Sequence, residues 1–89
     1  MKEFRAIVSG RVQMVMYRAF VEKHAREFGL SGSVRNCEDG TVEVVAQGDE
    51  TRLQSLLEQL HKGPFLAKVA NVEATWRPAA KPYNGFEII

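Results

Sequence analysis

The sequence predicts an α+β sandwich: two helices on one face of a mainly antiparallel sheet, with an extra C-terminal strand. Three observations carry that reading. Apolar residues alternate with period two in several short runs, as in half-buried strands. Two longer runs switch to the spacing of amphipathic helices. Between those helical runs sits a pair of strand-like segments joined by Asp39-Gly40, a strong hairpin signal, so the order is β-α-β-β-α-β.

The first element, Glu3–Ser9, alternates cleanly, with Phe4, Ala6 and Val8 on one side and Arg5, Ile7 and Ser9 on the other. Helical spacing follows from Arg18 to Phe28, where Val21, Ala25 and Phe28 recur, joined by Phe20. Gly29 supplies a left-handed cap and Leu30 the apolar residue that commonly follows one. "GSVRNC" and "TVEVVAQG" then form the hairpin, with Val42, Val44 and Ala46 along one face. A second helix spans Thr51 to Lys62. Asp49 is its N-cap, Leu53, Leu56, Leu57 and Leu60 are its stripe, and Gly63-Pro64 ends it. "VANVEATW" reads as a strand with Ala70, Val72, Ala74 and Trp76 on one side. "RPAAKPYNG" is irregular, and "FEII" closes the chain as a short strand. Burying both helical stripes on one sheet gives a ferredoxin-like arrangement.

Residues 1–89 are expected to form a single domain, small enough that only about 60–65% of the unfolded surface becomes buried. A net charge of +1 gives no electrostatic argument for nucleic acid or an anionic membrane. The single cysteine, Cys37, can form neither an intrachain disulfide nor a CxxC metal site. No signal-peptide pattern or membrane-length apolar run is present, so the expected setting is cytoplasmic and the expected state a monomer.

The stretch "GRVQMVMYR", Gly10 to Arg18, joins the first strand to the first helix through about seven residues of loop. Amides in such a turn and at a helix N-terminus lack intrahelical partners. With the helix dipole they can cradle an anion. Arg18 would add a permanent charge and a planar fork suited to phosphate oxygens. Taken alone, Arg18 reads first as a solvated residue at a helix start, where arginines are common, and Gly10 as an ordinary strand terminator.

"GRVQMVMYR" resembles the acylphosphatase signature G-x-V-Q-G-V-x-F-R. The later Asn36, Gly40, Val42 and Gly48 fall in register with that family's second motif, and the resemblance covers nearly the whole chain. It implies a small standalone acylphosphatase: a cofactor-free, metal-independent hydrolase that converts small acyl phosphates to carboxylate and inorganic phosphate. It also implies that Arg18 binds phosphate with the backbone amides of Gln13, Met14, Val15, Met16 and Tyr17, while Asn36 positions the attacking water. In the family the bound phosphate is thought to accept the water's proton.

The rest of the inventory is compatible with that chemistry. There is no HExxH, no cysteine–histidine pair and no acidic cluster suited to magnesium; His24 and His61 read as packing or surface residues, Glu38 and Asp39 as turn residues. An acyl phosphate asks for little more. Its leaving group is a carboxylate whose conjugate acid has a pKa of about 4, so no proton donor is needed. What remains is to hold three oxygens and place a water.

The chain departs from the family pattern at Met14, where glycine is usual, and at Met16, Tyr17 and Ser33. Methionine at a left-handed φ would be strained; at an ordinary φ its side chain could simply cover the loop. The expectation is that the methionines pack to compensate for Ser33, which replaces an aromatic, and that Tyr17 packs as phenylalanine would. An altered acyl-group pocket is the competing reading of the methionines. Two other functions share the βαββαβ order. An RNA-binding module would need aromatics on the exposed face of the central strands, and "TVEVVAQG" has none; a metallochaperone would need a CxxC-like loop. A binder of acyl phosphates without turnover remains a third reading.

Overall fold

The computed structural model describes residues 1–89 and contains β1 (Lys2–Arg11), α1 (Tyr17–Glu27), β2 (Ser31–Asn36), β3 (Val42–Gly48), α2 (Glu50–Lys62), β4 (Lys68–Pro78) and β5 (Phe86–Ile88). The strands form one sheet in the order β4-β1-β3-β2-β5. All neighbours are antiparallel except β2 and β5, which run parallel. This is the ferredoxin-like architecture with a terminal strand added at the edge.

Period-two alternation builds the core. Phe4, Ala6 and Val8 on β1, Val34 on β2, and Val42, Val44 and Ala46 on β3 are buried together with Val21 and Ala25 of α1 and Leu53, Leu56 and Leu60 of α2. Phe20, Phe28 and Leu57 sit at its margin, partly buried. The other face of the sheet is polar and internally paired. Glu43 accepts from Arg5 at 2.6 Å and from Arg35 at 2.7 Å, and Glu3 pairs with Arg77. Burial pushes the Glu43 carboxyl up, but the hydrogen bonds from Arg35 and Arg5 outweigh it and leave its pKa lowered. β1 and β3 place no aromatic on this face, which base stacking would need.

The chain must cross the sheet between the edge strands β4 and β5. The buried carboxamide of Gln47, on β3, holds that crossing: it donates to the Lys81 carbonyl and accepts from the Tyr83 amide at 3.1 Å. No helix is long and apolar enough to cross a membrane.

One strand reading is corrected. Ala70 does not face the core, because the β1–β4 register shifts between Ser9 and Gly10, pairing Ser9 with Asn71 but Gly10 with Val69. Val69 packs inward and Ala70 is exposed. Gly10 makes this bulge possible: its φ is 115°, and a Cβ there would lie 2.2 Å from the Lys68 carbonyl oxygen. It is therefore a required glycine inside a strand that continues to Arg11, rather than a terminator. Trp76 is also only partly covered, its ring meeting Phe4 edge-on with centroids 5.6 Å apart.

Candidate active site

Beyond Arg11 the chain turns through residues 12–16 before α1 begins at Tyr17, one residue earlier than the spacing predicts. Val12, Val15 and Tyr17 point into the core and pin the loop, while Met14 and Met16 point out. The Tyr17 hydroxyl donates to the Leu60 carbonyl at 2.8 Å, satisfying one of the last acceptors of α2. Burial raises its pKa well above the usual tyrosine range, so it stays a neutral donor. Tyr17 thus fills the place of phenylalanine and adds a polar tie to the second helix.

Gln13 fastens the other side. Its carboxamide donates to the carbonyls of Cys37 at 2.8 Å and Thr41 at 2.9 Å, stitching the loop to the β2–β3 turn. That turn is closed by the Cys37 amide donating to the Thr41 carbonyl at 2.8 Å. Asp39 accepts from the Thr41 hydroxyl and amide, and these bonds lower its pKa. The sequence reading gave Gln13 only a backbone amide; its side-chain role depends on a contact across the fold that no local spacing reveals.

The loop keeps its amides free. No backbone hydrogen bond in the loop uses the N–H of Gln13, Met14, Val15 or Met16 as donor. Met16 is the N-cap of α1 and caps nothing with its side chain, and the first turn holds no acidic residue. Met14 and Met16 have φ of 62° and 66°, so the left-handed geometry is present at both. For residues with a Cβ this costs about 1–2 kcal/mol each. Met14 is 100% exposed and Met16 71%. The expected compensation for Ser33 is therefore wrong: Ser33 is buried on β2, opposite Val45, and neither methionine packs into the core.

Arg18 and Asn36 converge on this loop. Arg5, Arg26, Arg35, Arg52 and Arg77 each face a carboxylate; Arg11 and Arg18 have neither an ion pair nor a hydrogen bond, and of these two Arg11 is exposed while Arg18 is half-buried. Asn36 is the last residue of β2, and its Oδ1 is buried without a hydrogen-bond partner. Leaving such an acceptor unsatisfied costs about 1–3 kcal/mol. Both side chains line one cavity of about 430 Å³ with Val12, Met14, Met16, Tyr17, Ala19 and Ile88. No carboxylate, lysine or imidazole lines it. Of the expected site residues, Val15 lies beneath the loop and Gln13 reaches away to the turn, and neither lines the cavity.

The histidines lie elsewhere. His24 packs against the ring of Phe20 at 4.5 Å and near Phe28, within reach of Glu27, and His61 is exposed on α2. No group of three or more His, Cys, Asp or Glu side chains stands together as a metal site would need. A second cavity, of about 470 Å³, opens at the start of β1 between Lys2, Glu50, Gln54, Trp76 and Arg77. Its charged side chains are already paired, Lys2 with Glu50 and Arg77 with Glu3.

Comparison with known proteins finds one family throughout its most similar relatives. The family model described as Acylphosphatase covers residues 4–88. A Thermus thermophilus acylphosphatase is 51% identical over 83 residues, spanning 93% of each chain. One from Marinobacter nauticus is 49% identical over 80 residues, 90% of this chain and 87% of the relative. The crystal structure of the Bacillus subtilis acylphosphatase superposes with a TM-score of 0.97 at 38% identity, covering 100% of this chain and 99% of the other.

Proposed function

The chain belongs to the acylphosphatase family and is an enzyme of it, and from that premise we propose that it hydrolyses small acyl phosphates in the cavity shared by Arg18 and Asn36. The observation that carries this reading is a pair of unmet partners facing one space: a half-buried guanidinium without a carboxylate and a buried carboxamide oxygen without a donor.

The phosphoryl oxygens take the free amides of Gln13–Tyr17, where the N-terminus of α1 adds positive potential. Arg18 closes the cradle with charge-assisted bonds that strengthen as charge spreads over the oxygens in the transition state. The Asn36 Oδ1 accepts a hydrogen bond from the attacking water, aiming its lone pair at phosphorus opposite the acyl oxygen. The new P–O bond forms as the bond from phosphorus to the acyl oxygen breaks. The carboxylate leaves with the electron pair, and the water's proton passes to a phosphoryl oxygen. No base lines the cavity to take it otherwise.

The test is benzoyl phosphate hydrolysis by the parent, Arg18→Ala and Asn36→Ala, with folding checked by circular dichroism. Arg18→Ala should lower kcat/KM at least about 100-fold. Asn36→Ala should lower kcat about tenfold or more with little change in KM. Unaltered kinetics in either variant would take that residue out of the mechanism, and binding without turnover in the parent would leave a receptor rather than an enzyme site.

A further inference from the structure

Phosphate binding uses the backbones of Met14 and Met16 but gives their side chains no task. Both occupy a backbone region that favours glycine, both stand in solvent, and neither protects the core. Yet both line the cavity with Arg18 and Asn36, and Ile88, another exposed apolar residue, joins them from β5.

We propose that Met14 and Met16 form the acyl-side wall of the cavity and select acyl phosphates whose acyl group is apolar, aryl or branched alkyl, over small polar or charged ones. This rests on the phosphate cradle proposed above. The cavity, at about 430 Å³, falls within the roughly 300–1,000 Å³ typical of small-molecule sites, so it has room beyond a phosphate group. Arg18 is the single charge in its wall, and a phosphate held there would neutralise it. Outside that subsite the side chains are apolar, with nothing to pair a second charge on the acyl group. Methionine suits such a wall: its thioether chain is flexible and makes favourable contacts with aromatic rings, so it can close over acyl groups of different shape.

The experiment compares kcat/KM for benzoyl phosphate with that for acetyl phosphate in the parent, in the double variant Met14→Gln/Met16→Gln, and in Met14→Leu/Met16→Leu. The ratio within each protein cancels any change in the shared phosphate cradle. The glutamine variant should lose about fivefold or more of the parent's benzoyl preference, and the leucine variant should keep it. A ratio that stays flat across all three proteins, or falls equally with leucine, would overturn the acyl-wall assignment while leaving the phosphate reading intact. A folded parent that hydrolyses neither substrate would overturn both.

Discussion

At the start of α2, Asp49 accepts from the Arg52 amide at 3.0 Å, its ψ of 155° is extended, and Glu50 places a negative charge against the helix dipole. At the start of α1, Met16 sits at φ 66°, offers the amides nothing, and is followed by Tyr17 and Arg18 with no acid in the first turn. The first arrangement supplies a side-chain cap and an acidic first turn from within the chain. The second leaves donors open, adds a cation where it is mildly unfavourable, and is held in place only because Val12, Val15, Tyr17 and the Gln13 carboxamide anchor the loop from beneath. The contrast separates a terminus capped from within the chain from one that leaves its donors unmet, as the anion site proposed above requires.

Exchanging the two designs should break the contrast most severely. Met16→Asp would give α1 an acidic cap, competing for the amides and repelling phosphate. We expect kcat/KM for benzoyl phosphate to fall about 100-fold or more while the melting temperature holds or rises. Equal activity would mean that the α1 terminus does not receive the anion. Removing the cap of α2 should do the reverse. Asp49→Ala should cost about 1 kcal/mol in denaturant unfolding and leave kinetics alone, because Asp49 is remote from the cavity lining. A kinetic defect there would show the two termini to be coupled. The smallest expected effect is Met14→Gly, which relieves a left-handed φ but frees the unfolded chain. A net gain of about 0.5–1 kcal/mol is expected by the same unfolding measurement. A loss would place the strain of the loop somewhere other than position 14.

The two termini also differ in how far they could be read from the sequence. Asp49, the leucine stripe and Gly63 follow local rules of capping and periodicity, and α2 begins one residue from its expected start. The α1 loop follows none of them. Its Met14 and Met16 are apolar residues held outward, and their type suggested packing. Arg18 and Asn36 were legible through two motifs rather than through their own chemistry, since nothing local shows that the end of β2 meets the start of α1. Gln13 is the clearest omission: its two bonds to the β2–β3 turn exist only once the strands are paired. The bulge at Gly10 was hidden for a related reason. Its positive φ and the displaced Ala70 belong to the β1–β4 pairing, and the alternation of "VANVEATW" looks unbroken without it.

The most direct measurement is an inorganic phosphate titration followed by amide NMR, on the parent and on Arg18→Ala. The amides of Gln13 to Tyr17 should shift in the parent, those from Glu50 to Arg52 should not, and the loop shifts should vanish in the variant. Saturable shifts centred on any other segment, or loop shifts that persist unchanged without Arg18, would contradict phosphate binding at the uncapped start of α1.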